Sequence, residues 1–228
     1  MNKAAVQRGI SNLVKVEVPA YWSNATGETT SEACQGCGEK PAFITDVVEG
    51  MNRKEGDKLP VSTFVGREDG VFPHGTAAYE KRGIAVHVPA WKIENCIQCN
   101  QCAFVCPHAV IRPFLLNAEE KANAPEGFET KKAVGKGFEG FEYKIQVSPL
   151  DCTGCGNCAD ICPAKEKALV MEPIETQMKE VPNWEYAVCK VTNKKEFADK
   201  SVKGSQFAQP YLEFSGACAG CGETAYAR

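Results

Sequence analysis

The 228 residues contain no stretch of about 18 consecutive apolar residues, so the sequence offers no membrane-spanning helix. They show no excess of basic charge either. The net charge is −3 with the histidines neutral, which leaves no electrostatic footprint for nucleic acid. The first eighteen residues, MNKAAVQRGISNLVKVEV, have no apolar core and no small-residue cleavage site, so no secretory signal is read and a cytoplasmic location is expected. A phosphate-binding loop is missing: GREDG and GKGFEG lack the lysine and the strand-to-helix setting. No nucleophile–base arrangement is visible, and no catalytic residue is assigned. Histidine is scarce, with His74 in a turn, His87 on an expected strand and His108 after a Cys-Pro pair. Each reads as a structural or solvated group rather than a ligand.

Cysteine, by contrast, is abundant. There are thirteen, many clustered at x2 spacing. Intracellular thiols are kept reduced, so this density reads as metal binding rather than a disulfide framework. Hydrophobic content of 43% and charged content of 24% are near globular averages, so an ordered chain of one domain or two small ones is expected.

The stretch CIQCNQCAFVCP, Cys96 to Pro107, recurs in spacing as CTGCGNCADICP, Cys152 to Pro163. Three thiols at successive x2 intervals suit three irons of one cubane, because a tight loop returns them inward. The fourth opens a helical segment, points away and ligates the other cluster, as in two-cluster ferredoxins. The spacing therefore assigns one 4Fe–4S cluster to Cys96, Cys99, Cys102 and Cys162. It assigns the other to Cys152, Cys155, Cys158 and Cys106. Pro107 and Pro163 turn the chain after each crossing thiol without wasting an amide donor. Gly154, Gly156 and Ala159 leave room for backbone amides to approach sulfur. The bulkier Ile97, Gln98 and Gln101 predict a first cluster better shielded from water. The competing reading is zinc, which prefers two separated C-x2-C pairs.

Two such pairs do occur. ACQGCGE carries Cys34 and Cys37, and ACAGCGE carries Cys218 and Cys221. Together they could close a third cluster or a zinc site; they could equally serve separate sites with partners outside the chain. Cys189 stands alone and reads as a plain buried thiol.

Along the chain, Leu13 to Trp22 alternates like a strand ending at Pro19. A short helix is expected within 41–57, with Phe43, Val47 and Met51 on one face and Gly50 and Gly56 as breakers. A β pattern follows over roughly 55–92, with a strand from Arg82 stopped at Pro89. Within it, Glu80-Lys81-Arg82 reads as a solvated edge or a salt-bridge corner. NAEEKANA suggests a helix and FEYKIQV a strand. AVIRPFLL and KALVMEPI are matching apolar strands, one after each cysteine run, so the repeat extends beyond the thiols. Residues 175–216 read as an extended arm.

GTAAYEKRGIAVHVPAW, the two cysteine runs, and KGSQFAQPYLEFSGACAGCGET, in that order, resemble the pyruvate:ferredoxin (flavodoxin) oxidoreductase family. The resemblance covers the chain from about Leu13 onward and only an internal piece of the family's longer polypeptide. It implies an α+β fold: an N-terminal segment (1–39), a β-rich EKR segment (40–92), a bacterial-ferredoxin-like dicluster domain with pseudo-twofold symmetry (93–174, insert 108–150), and an extended arm opening a truncated thiamine diphosphate domain (175–228). Cys218 and Cys221 match the first two ligands of the family's proximal cluster, a partial third 4Fe–4S site whose other ligands are expected downstream. The implied function is to relay electrons from thiamine-dependent oxidative decarboxylation of pyruvate, which forms acetyl-CoA, to ferredoxin or flavodoxin. Thiamine diphosphate and the reaction centre would lie outside this chain, in further domains of a homodimeric enzyme. The Cys34–Cys37 pair departs from the family pattern. Two other readings are a free-standing dicluster electron carrier and a colourless zinc-stabilised interaction protein.

Overall fold

The computed structural model describes residues 2–12, 14–15, 17–20, 37–71, 73, 75–211 and 213–214. Cys34, His74, Cys218 and Cys221 lie outside the described residues, as does the third-site expectation built on them. The chain divides into two units, Met1–Ala33 and Cys34–Arg228. In the first, helix α1 spans Asn2–Ser11. The strand expected over Leu13–Trp22 is not formed among its described residues, where Val14 and Val18 are exposed. Alternation alone does not hold a strand that pairs with no other strand among the described residues.

The second unit also departs from expectation at its start. Among described residues 37–86 there is no strand, so the β-rich module is corrected to a chain of short helical turns. A π-helical turn, Ile44–Val48, runs into α2, Glu49–Asn52, and 3-10 turns follow at Gly56–Lys58, Val61–Phe64 and Thr76–Tyr79. Alternation from Val61 to Val65 was too short to specify a strand, and both valines are exposed, at 88% and 74%. In the first turns the buried face is Ile44, Val47 and Gly50, with Met51 exposed, and the helix passes through Gly50 rather than breaking there.

Two small antiparallel sheets frame the cysteine runs. Strand β1, His87–Trp91, pairs with β5, Leu169–Pro173. Strand β2, Ile111–Leu116, pairs with β4, Glu142–Val147, and β3, Lys131–Lys132, adds to the far side of β4. Each run thus leaves a strand of one sheet and enters a strand of the other. The first run passes from β1 through α3, Gln101–Phe104, to β2; the second passes from β4 through α5, Asn157–Ile161, to β5.

Pro89 does not stop β1, contrary to expectation. Ile174 N–H donates to Val86 O and Lys92 N–H to Ala168 O, so the even-numbered residues of β1 hold the ladder hydrogen bonds. Pro89 faces Met171 at a non-bonded position, where its missing N–H costs nothing. The same parity protects Pro113 in β2, because Ser148 N–H donates to Val110 O.

The expected arm after β5 is also corrected: it is helical, with α6 at Ile174–Gln177, α7 at Val181–Lys190 and α8 at Val202–Ser205. Pro182 sits in the first turn of α7, where no N–H partner is required. Trp184, Ala187 and Val191, spaced for one helical face, are buried. The helix expected in NAEEKANA is α4, Ala118–Ala122, closed by a capping box between Asn117 and Glu120. The core between the sheets is small and includes Val88, Ile111, Leu115, Tyr143, Ile145 and Leu169 together with Cys106, Cys152 and Cys158. The thiols are part of the core rather than attached to it.

Candidate metal centre

The two runs fold alike. In the first, Gln98 and Asn100 adopt left-handed backbone at φ +58 and +60. At the equivalent places of the second run stand Gly154 and Gly156, at φ +74 and +81. Reversing the backbone at alternate residues is what turns thiols at x2 spacing to one side. Glycine does this freely, whereas other residues pay roughly 1–2 kcal/mol. The first run offsets that cost with side-chain bonds. Gln98 Nε2 donates to Lys132 O and its Oε1 accepts from Val134 N–H, both at 2.8 Å. Asn100 Nδ2 donates to Lys203 O at 2.8 Å and its Oδ1 accepts from Tyr143 O–H. The long insert and α8 therefore cover the first run, and Lys131 Nζ reaches Ile93 O and Cys96 O at 2.8 and 2.9 Å.

Thiols of the two runs neighbour one another, and the two sets are those that the spacing predicts. Burial, then the neighbouring Cys96 and Cys99 and the crossing Cys162, push the Cys102 thiol up. Burial also raises Cys158, and its thiol neighbours include Cys106, Cys152 and Cys155, with Cys102 bridging toward the other set. The Cys152 thiol is pushed up to about 12, mainly by burial and against a hydrogen bond from Gly154 N–H; Cys106 and Cys155 add to the rise. Backbone amides of Gly154 and Ala168 donate to Cys152 Sγ and Cys162 Sγ at 3.4 Å. Among the described residues no three of Cys, His, Asp and Glu converge on a single metal ion.

The two sets differ in exposure. Cys106, Cys152 and Cys158 are buried and Cys155 is half-buried, whereas Cys96, Cys99, Cys102 and Cys162 are all half-buried. The shielding expected for the first set is therefore reversed. Ile97 points outward at 60% exposure, and Gln98 is spent on the 132–134 segment. A small cavity opens among Cys106, Cys152, Cys155 and Cys158, with His108 and Thr153 in its lining. Thr153 Oγ1 is buried there without a hydrogen-bond partner. Four soft thiols around a cavity, with a donor hydroxyl unsatisfied beside them, fit an iron–sulfur cluster with sulfur acceptors. Of the other histidines, His87 is exposed.

Sequence reasoning named Glu80-Lys81-Arg82 but not the partners of the charged groups flanking the second run. Lys81 Nζ meets Asp151 Oδ2 at 2.5 Å, immediately before Cys152, and Glu80 pairs with Arg82 at 3.2 Å. Glu80-Lys81-Arg82 is thus a salt-bridge corner, the second of the two roles expected for it. Arg112 is buried on β2, donates to Ala109 O at 2.7 Å, pairs with Glu213 and lies over the rings of Trp184 and Phe214. Phe214 N–H donates to His108 O at 2.9 Å, which holds Phe214 beside the end of the first cysteine run. One expectation for a cysteine is overturned: Cys189 is not a lone thiol but forms a disulfide with Cys37, 152 residues away in sequence. No local pattern announces a pairing at that separation.

Two family models match the chain. Residues 30–85 match EKR, a domain of unknown function, and residues 95–166 match a 4Fe–4S dicluster domain. Relatives align over the full length. The pyruvate-flavodoxin oxidoreductase of Enterobacter agglomerans is 56% identical and that of Klebsiella pneumoniae 53%, each over 100% of this chain. The pyruvate:ferredoxin oxidoreductase of Moorella thermoacetica is 55% identical, also over 100%. The chain is similar to one segment of these pyruvate:ferredoxin (flavodoxin) oxidoreductases. It spans 19% of the length of each of these three relatives. Among the described residues, no helix is long and apolar enough to cross a membrane.

Proposed function

We propose that this chain is the iron–sulfur electron-transfer segment of a pyruvate:ferredoxin/flavodoxin oxidoreductase. The observation that carries the reading is the pair of like-folded cysteine runs within a stretch matched by a 4Fe–4S dicluster model, with Cys162 among the neighbours of Cys102 and Cys106 among those of Cys158. Cys96, Cys99, Cys102 and Cys162 would hold one 4Fe–4S cluster, and Cys152, Cys155, Cys158 and Cys106 the other. The clusters would supply one-electron storage at potentials set by burial and hydrogen bonds to sulfur.

The protein's own part is to hold, insulate and connect these sites. The strand–run–strand halves, with matching left-handed positions, act as a pseudo-twofold pair. The buried second set, beside the 213–214 segment, faces the source of electrons, with Cys218 and Cys221 opening a third site completed elsewhere. The half-buried first set, with exposed Ile97 beside it, faces the acceptor, ferredoxin or flavodoxin. Pyruvate decarboxylation on thiamine diphosphate, with acetyl-CoA as product, belongs to other domains of a cytoplasmic, homodimeric enzyme. Residues 40–92, 93–174 and 175–228 serve as EKR segment, cluster domain and the start of the thiamine domain.

Iron quantitation and EPR of the dithionite-reduced, anaerobically purified protein test this. The expected result is two interacting 4Fe–4S signals lost together with the thiols of the two runs. A colourless protein holding zinc in place of iron would overturn it.

A further inference from the structure

The EKR match covers a domain of unknown function, and its Glu80-Lys81-Arg82 stretch meets Asp151, the residue immediately before the second cysteine run. Lys81 reaches Asp151, whose side chain is only 3% exposed, and the same Asp151 Oδ2 accepts from Ser148 O–H. Ser148 O in turn accepts from Cys152 N–H at 3.1 Å. Lys81 therefore closes the turn from Ser148 to Cys152 that presents the first thiol of the second set.

Three neighbouring contacts seat the segment on the same loop. Gly83 N–H donates to Leu150 O at 2.8 Å. A Cβ at Gly154 would lie 3.3 Å from the Ala85 Cβ and 2.9 Å from His87 O, so the 85–87 backbone runs directly over the thiol loop. The Lys81 ammonium also stands 4.5 Å from the centre of the Phe214 ring, which Arg112 approaches from 5.6 Å. One cation thus touches both the turn before Cys152 and the segment that runs on toward Cys218.

We propose that Lys81 is a positioning residue for the second thiol set, clamping the Ser148–Cys152 turn through Asp151 and setting the charge that this set experiences. The inference rests on the iron–sulfur reading above and gives the EKR segment a task within it: to fix the geometry and potential of one site and not the other. A fixed positive charge in a partly buried place favours added negative charge nearby, because it is screened little by solvent.

The test uses the iron–sulfur-loaded protein that contains this chain, with Lys81→Met, Lys81→Arg and Asp151→Asn. Iron and acid-labile sulfide are counted, and the midpoint potential of each cluster is followed by EPR. The second-set signal is identified as the one that Cys155→Ser removes or alters. Lys81→Met is expected to move the second-set midpoint to a more negative value and leave the first unchanged. Asp151→Asn should move it the opposite way, and Lys81→Arg should stay close to the parent. Selective loss of second-set iron in Lys81→Met, restored in Lys81→Arg, would equally support the clamp. Unchanged iron and midpoints in Lys81→Met overturn it, as does a loss shared equally by both sets. A parent protein lacking cluster signals would instead overturn the electron-transfer reading, and this inference with it.

Discussion

At residue scale, the second cysteine run depends on Gly154 for two separate reasons. Its φ of +74 is strained for any L side chain, and a Cβ there would meet His87 O of β1 at 2.9 Å. That obstacle is backbone held in a sheet, so it does not swing aside. Gly154→Ala is expected to cost roughly 1–3 kcal/mol and to lower second-set iron while sparing the first set. Urea unfolding and iron per chain check this; full iron and an unchanged midpoint would mean that β1 yields. The first run solves the same conformational problem with Gln98 and Asn100, and that is where sequence reading went astray. Counted as bulk, Gln98 predicted shielding. In the structure it is a hydrogen-bonding group at positive φ, bound to the 132–134 segment, while its neighbour Ile97 faces solvent. The spacing of thiols was legible because cluster geometry dictates it; the destination of the residues between them was not, because it depends on the distant insert.

At the scale of elements, legibility followed the strength of the local pattern. The strands flanking the runs were readable, AVIRPFLL and KALVMEPI as short, largely apolar runs and FEYKIQV by its strict alternation. The arm was misread because the buried residues of α7 are Asn183, Trp184 and Ala187, one of them polar, too few for an apolar period to stand out. What fixes α7 is Glu120 of α4. Its carboxylate accepts from Thr192 N–H and Lys194 Nζ at 2.8 Å, and its carbonyl accepts from Tyr186 O–H. Burial tends to raise the Glu120 carboxyl, but Lys194 and the amides of Asn117 and Thr192 outweigh it and hold it low. A carboxyl depressed in the folded state contributes stability that is present above its unfolded value of about 4.3 and is lost as pH falls through the folded value. Glu120→Gln should therefore cost roughly 1–3 kcal/mol near neutrality and narrow the gap to the parent below about pH 4. Unfolding followed by tryptophan fluorescence, with Trp184 in the affected helix, measures that gap. A gap constant with pH would assign the loss to packing rather than charge.

At the scale of the whole molecule, two kinds of cysteine do different work. Of the thiols in the two sets the core contains only Cys106, Cys152 and Cys158, with little apolar surface, so metal loading is expected to be coupled to folding there. The Cys37–Cys189 disulfide instead joins the start of the EKR stretch to α7, with Cα atoms 5.6 Å apart and the whole cluster domain enclosed between them in sequence. Closing so long a loop restricts the unfolded chain, a contribution typically of about 2–4 kcal/mol. Cys189→Ser should lower the unfolding free energy by that amount, and reductant added to the parent should reproduce most of the loss. Iron per chain and the cluster EPR signals should stay unchanged, because neither sulfur belongs to the two sets. Cys37→Ser distinguishes the alternatives. If Cys37 only staples the fold, its variant matches Cys189→Ser in both stability and iron. If the Cys34–Cys37 pair holds metal, Cys37→Ser loses iron that Cys189→Ser retains, and the disulfide is then not the form in which the loaded protein carries that residue.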